Sequence, residues 1–155
     1  MSLAPPFTKE TAYKKVKAAQ NLWNTKDPSK VVQAYTPDTI WRNRDVFLKG
    51  HEEVRGFLTA KWKREHNYRL KKELFAWGED RIAVQFWYEY QVDPEDEERW
   101  QRCYGLEDWT FAPDGKMMKR QMSGNEVSIS KQQRWFTDGM TTEEIDALVL
   151  GDEHH

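Results

Sequence analysis

Apolar residues recur three and four positions apart near the start of the chain. Ala12, Tyr13, Val16, Ala19, Leu22 and Trp23 predict an amphipathic helix, with Thr8 as N-cap and Phe7 placed to staple against Ala12. Asp27-Pro28 reads as an N-cap followed by proline at the first helical position, opening a second, shorter helix through Val31, Val32 and Tyr35. Residues 39–43 and 46–48 read as two short strands around an Arg44-Asp45 turn. From His51 the helical period returns in Val54, Phe57, Leu58, Lys61, Trp62 and Glu65. After that the period changes to two.

Residues 68–77, 82–90, 100–111 and 117–127 form four long strand candidates, separated by Gly78-Glu79-Asp80, the acidic segment 93–98 and Pro113-Asp114-Gly115. Adjacent strands with short connections favour antiparallel meander pairing, and helices gathered at the N-terminus cover one sheet face. The fold class expected is therefore α+β, with a wide aromatic-rich pocket between helices and sheet. Met140, Thr141, Glu144 and Ile145 fit a staple and a capping box, starting a last short helix that carries Leu148 and Leu150.

The 155 residues suit a single domain with one core, and eight Trp, seven Phe and six Tyr supply large surfaces to fill it or line a cleft. Lys and Arg number 24 against 26 Asp and Glu. A net charge of -2 offers no broad attraction for phosphate backbones or anionic lipid, so neither nucleic acid nor membrane is expected as a partner. No segment approaches about 18 uninterrupted apolar residues, and the N-terminus lacks a signal-peptide pattern. One cysteine, Cys103, excludes an intrachain disulfide, and no Cys/His spacing suits a metal. His51 and His66 stand at opposite ends of the third helix, and the terminal His154 and His155 are assigned no role. A soluble cytoplasmic protein with no metal or organic cofactor is expected.

The order helix, short helix, hairpin, helix, four long strands resembles the nuclear transport factor 2-like, or ketosteroid isomerase-like, superfamily over about residues 8–128, leaving 129–155 as a C-terminal extension. Trp41-Arg42-Asn43-Arg44-Asp45, residues 69–74 and Tyr104-Gly105-Leu106-Glu107-Asp108-Trp109 are similar to an uncharacterised bacterial SnoaL-like family. The resemblance implies a cone-shaped α+β barrel with a strongly curved, mainly antiparallel sheet. It also places Asn43 where isomerases of this fold carry a general base, and Glu107 near their buried oxyanion-site acid. An amide cannot shuttle a proton at neutral pH, so the isomerase mechanism does not carry over.

The same strand alignment turns Cys103, Gly105, Glu107 and Trp109 inward, with Arg120 and Met122 beside them. Glu107 and Arg120 are the candidate catalytic residues. Either they act on a ligand, with desolvation raising the Glu107 pKa toward neutrality, or they form a structural ion pair. Trp41, Asn43, Trp62, Tyr88 and Trp109 are the candidate ligand contacts, Trp41 and Asn43 capping the pocket mouth and Arg42 and Arg44 facing away. Two functions are open: a cofactor-independent isomerase, dehydratase or hydrolase acting on a small apolar or aromatic molecule, or a noncatalytic dimeric binding or structural module. The opposite sheet face carries Arg69, Lys71, Glu73, Gln85, Trp87, Glu89, Arg102, Tyr104 and Asp108, a mixed aromatic and charged surface that suits a homodimer interface. Cys103, without a histidine partner, reads as a buried small hydrophobe.

Overall fold

Thr8 caps the first helix, α1 (Lys9–Trp23), and exchanges hydrogen bonds with Thr11 in a capping box. Phe7 is buried in the same core as Ala12 and packs edge-on against Phe111, with ring centroids 5.0 Å apart. Asp27 accepts hydrogen bonds from the Ser29 and Lys30 amides at the start of α2 (Pro28–Val31), as a proline-led helix requires. A single 3-10 turn then leads into β1 (Tyr35–Asn43), β2 (Val46–Lys49) and α3 (Gly50–Arg64). The long strands are β3 (His66–Trp77), β4 (Arg81–Gln91), β5 (Trp100–Phe111) and β6 (Met117–Ile129), followed by α4 (Thr142–Ala147). The computed structural model describes residues 3–150, so the terminal histidines lie outside the described residues.

The six strands form one sheet in the order β2-β1-β6-β5-β4-β3. All neighbours are antiparallel except β1 and β6, which run parallel, so the long strands form the expected meander inside a mixed sheet. Helices α1 and α3 close the inner face, burying Val16, Trp23, Val54 and Leu58 against Trp41, Tyr68, Phe86 and Trp109. The architecture is the α+β cone. Gly105 is required by its neighbour across the ladder: a Cβ there would stand 1.9 Å from the Phe86 ring, which lies over this position.

The outer face departs from expectation. Residues beyond β6 fold back as a strap whose Phe136 and Ile145 bury Trp87 in a second, smaller core. Glu89 accepts hydrogen bonds from the Trp135 and Phe136 amides and from Arg102, while Lys71 donates to the carbonyls of Ile145 and Asp146. The part of the face around Trp87 is therefore covered by the chain itself. Thr141 and Glu144 form the capping box of α4 as expected, but the helix ends at Ala147, leaving Leu148 as C-cap and Leu150 beyond it. Among the described residues no helix is long and apolar enough to cross a membrane.

Candidate functional site

Strand register decides which side chains meet inside the cone. Glu107 on β5 stands opposite Val84 on β4 and Met122 on β6, and Trp109, two residues on, stands opposite Arg120. No bulge interrupts the ladder between Tyr104 and Trp109, so the inward parity of Glu107 holds. Its carboxylate is fully enclosed. One oxygen accepts from Arg120 Nε at 2.6 Å and the other is paired with the ammonium of Lys72, on β3. Arg120 also donates to Asn43 Oδ1 at 3.1 Å, tying β1 to the same centre.

This centre is walled by rings. Lys72 Nζ lies 5.0–5.3 Å from the ring centroids of Trp23, Phe86 and Trp109. The guanidinium of Arg120 lies 4.3 Å from Trp41 and 4.8 Å from Trp23. A second buried pair, Lys61 on α3 with Glu65 at its C-cap, 2.7 Å apart, sits beside Tyr88 and Tyr68, with Lys61 Nζ 4.1 Å from the Tyr88 centroid. Both residues belong to the helical face read from sequence, where they stood among apolar positions.

Burial would push the Glu107 carboxyl up, but the charge of Arg120 and then that of Lys72 outweigh it and hold the group down at about 2. The expectation of a carboxyl raised toward neutrality is corrected. The second cation, Lys72, adds to Arg120 and together they outweigh desolvation. For Lys72 burial dominates in the opposite sense, lowering the amine to about 8 against the pull of Glu107. Glu65 is raised by burial and partly restored by Lys61.

The remaining candidates divide. Asn43 and Tyr88 line the central cavity, together with Lys61, Lys72, Glu107 and Arg120. Trp41 is fully buried and stacked on Trp23, with centroids 5.8 Å apart, so it is core and not a cap on the mouth. Trp62 packs edge-on against Trp23 and Tyr68, outside the cavity lining. Trp109 walls the Lys72 cage and borders a separate apolar crevice of about 80 Å3 beside α1, which shares Trp23 with the central cavity. The central cavity itself measures only about 10 Å3, room for about one water molecule, so the wide pocket read from sequence is closed by its own side chains.

Arg44 is a further correction. It takes a left-handed conformation (φ 56°) in the β1–β2 turn, and this breaks the strand alternation that would have turned it outward. Its guanidinium reaches Cys103 Sγ at 3.2 Å and Glu126 at 3.1 Å, and Tyr90 donates to the other Glu126 oxygen at 2.7 Å. Lys72 was also missed. Its signal was available, since the outward parity of Lys71 implies an inward neighbour. Among the described residues no group of three or more His, Cys, Asp or Glu is placed to hold a metal ion.

A family described as "Protein of unknown function (DUF1348)" matches residues 5–137. The search of curated proteins finds no match. Several solved structures share the fold. SalBIII, described as an epoxide hydrolase/cyclase-like enzyme in pyran ring formation, is 15% identical with a TM-score of 0.65, over 76% of this chain and 92% of its own. An NTF2-like protein of unknown function from Burkholderia pseudomallei is 19% identical with a TM-score of 0.63, over 74% and 90%. TerC, co-crystallized with polyporic acid, is 18% identical with a TM-score of 0.61, over 74% and 91%. Others are described as SnoaL-like and as having a ketosteroid isomerase-like fold. At these identities the likeness establishes the fold.

Proposed function

We propose that this chain, which belongs to the DUF1348 family and carries the NTF2-like fold, binds a small, partly aromatic molecule at the charged centre of its cone. The observation that carries the reading is the centre itself. Glu107, Lys72 and Arg120 are almost wholly removed from solvent in an otherwise aromatic interior. Ion pairs in such places are often no better for stability than well-packed apolar side chains, so folding alone gives little reason for them. Donors fixed against aromatic walls are instead what orients a planar ligand bearing a polar group. The neighbouring 80 Å3 crevice offers space for a ring, and Trp23 is the wall such a ligand displaces to reach Arg120 and Lys72.

SalBIII is described as an enzyme and TerC was co-crystallized with polyporic acid, so proteins of this fold take small organic molecules, which supports a small organic ligand here. Glu107 is clamped as a carboxylate and acts as an electrostatic anchor, not as a proton shuttle. A second reading rests on Lys72, which lines the cavity and whose amine burial lowers to about 8, so that its unprotonated fraction can serve a ligand there as a base. The test is titration of a metabolite library, read by tryptophan fluorescence and thermal shift. A bound compound should quench fluorescence, raise the melting temperature, and lose affinity by about tenfold or more in Arg120→Gln, which removes the donor and leaves Glu107 paired with Lys72. Turnover of a bound compound that disappears in Lys72→Met selects the enzyme reading. A library without any hit in either readout overturns small-molecule binding and leaves the filled cone as a structural module.

A further inference from the structure

We propose that the ligand of the cone is a small organic anion, a carboxylate on a short chain or planar ring, and that cations are excluded. This deepens the small-molecule reading above and rests on it. The charges that face the central cavity do not cancel: Lys61, Lys72 and Arg120 line it against the single carboxylate of Glu107. Glu65 neutralises Lys61, while Arg44 and Glu126 neutralise each other nearby. Lys72 and Arg120 then share one carboxylate, and among the described residues one positive charge at this centre is left without a balancing carboxylate in a low-dielectric interior.

The adjoining crevice repeats the imbalance. Lys15 lines it together with Trp23, Tyr35, Trp109 and Phe111, and among the described residues no acidic side chain borders it. Its ammonium sits 5.3 Å from the Phe111 centroid and is itself lowered by burial, with only partial compensation from Asp114. Two neighbouring spaces sharing the wall of Trp23 thus both carry surplus positive charge.

Aromatic cages ordinarily attract cationic ligands through the negative faces of their rings. Here those faces are occupied by the chain's own cations: Lys72 among Trp23, Phe86 and Trp109, Arg120 between Trp23 and Trp41, and Lys61 beside Tyr68 and Tyr88. A cationic ligand meets filled cages and like charge. An anion meets the donors of Arg120 and Lys72 and completes the neutralisation. Since the Lys72 amine titrates at about 8, it is mainly protonated at pH 7 and the surplus charge is present there.

Isosteric probes of differing charge separate this inference from the reading beneath it. Benzoate, benzamide and benzamidinium share a shape, as do acetate, acetamide and acetamidinium. Each is titrated into the full chain at pH 7 and constant ionic strength, by calorimetry and tryptophan fluorescence. At least one carboxylate should bind about tenfold or more tighter than its amide, with no binding of either amidinium. In Lys72→Met, which leaves the Glu107–Arg120 pair balanced, the preference for the carboxylate over its amide should collapse; Lys15→Gln, a half-buried position, should reduce it in part. Equal binding of all three charge types, an amidinium that binds best, or a preference untouched in both variants overturns the anion inference and leaves small-molecule binding standing. Failure of all six probes to bind overturns the anion inference in this form, and the library titration decides the small-molecule reading separately.

Discussion

The guanidinium of Arg44 stands 3.2 Å from the sulfur of Cys103, closing over a side chain that is buried from the other directions by the sheet. Arg44 is anchored in turn to Glu126, so the β1–β2 turn is fastened across β6 at the edge of the cone. Cys103 is consequently a reporter of that fastening. Arg44→Ala should speed alkylation of Cys103 by iodoacetamide about tenfold or more, by raising the fraction of time the thiol is open to solvent. The chemical effect alone has the opposite sign, because the Arg44 charge lowers a thiol that burial raises, and removing it makes the sulfur less reactive. Glu126→Gln frees the arginine without removing it and should act in the same direction. Unchanged alkylation rates in both variants would show that the contact does not close the cone.

Removing the Glu107 carboxylate strands two buried cations. Glu107→Gln should destabilise the fold by about 3–5 kcal/mol, the range for breaking a buried pair from one side. Acid does the same without mutation. The Glu107 pKa lies near 2, below its ordinary 4.5, so its contribution is fully present above about pH 4.5 and is lost as pH falls through the folded value. Chemical denaturation of parent and Glu107→Gln at pH 7 and at pH 3 should show the difference narrowing at the lower pH. A constant difference would mean that the carboxylate's charge does not matter to the fold.

Lys72 has the reverse dependence. Its folded pKa of about 8 lies below the ordinary 10.5, so between these values the unfolded chain binds the extra proton. Stability from this group therefore rises as pH increases from about 8 to 10.5. The charged groups acting on it are Glu107 from β5, Arg120 from β6 and Lys61 from α3, and the cage rings come from α1, β4 and β5. Lys72→Met should melt no lower than the parent at pH 7, and the parent should gain on it between pH 8 and 10. Melting curves for the two proteins across that interval check the sign.

The C-terminal strap holds buried apolar surface and satisfies buried charge. Ending the chain after Ser130 removes Phe136 and Ile145, whose burial is worth about 1.5–3 kcal/mol each, and uncovers Trp87. It also strips Glu89 of two amide donors and Lys71 of two carbonyl acceptors. The shortened protein should melt lower and bind a hydrophobic dye. An unchanged melting temperature would mean that the strap rests on the sheet without supporting it.

The strap leaves part of the outer face open. Phe75 and Leu106 are more than half exposed there and share a groove with the Arg81–Asp108 pair, while Ile40 and Phe47 are exposed toward the β1–β2 edge of the sheet. We expect a second copy of the chain on this remaining surface, and not on the Trp87 end. Sedimentation equilibrium at micromolar concentration should give about twice the 18.5 kDa chain mass, falling to one chain in Leu106→Arg. A parent that is monomeric across that range would remove the expectation.

Alternation along a strand and the period of a helix are local properties, and from them the sequence alone determined the four helices to within a few residues and the meander of long strands, while the inward parity of Glu107, Trp109 and Arg120 followed from the strand alignment that the resemblance implies. Local reading failed where the chain broke its own period: Arg44 turned inward because a single residue took a positive φ, which no apolar pattern records. It also failed wherever a contact joined distant segments. Lys72 meets Glu107 because β3 and β5 both pair with β4, and a separation of 35 residues carries no signal of that kind. The same holds for the strap, whose amides meet Glu89 from 46 and 47 residues away. Aromatic content announced large side chains near the centre, but whether they enclose a ligand or fill the space is a balance of packed volumes across α1, α3 and five strands. Only the tertiary structure sets that balance, and here it closes the cone to about 10 Å3 around a charged centre.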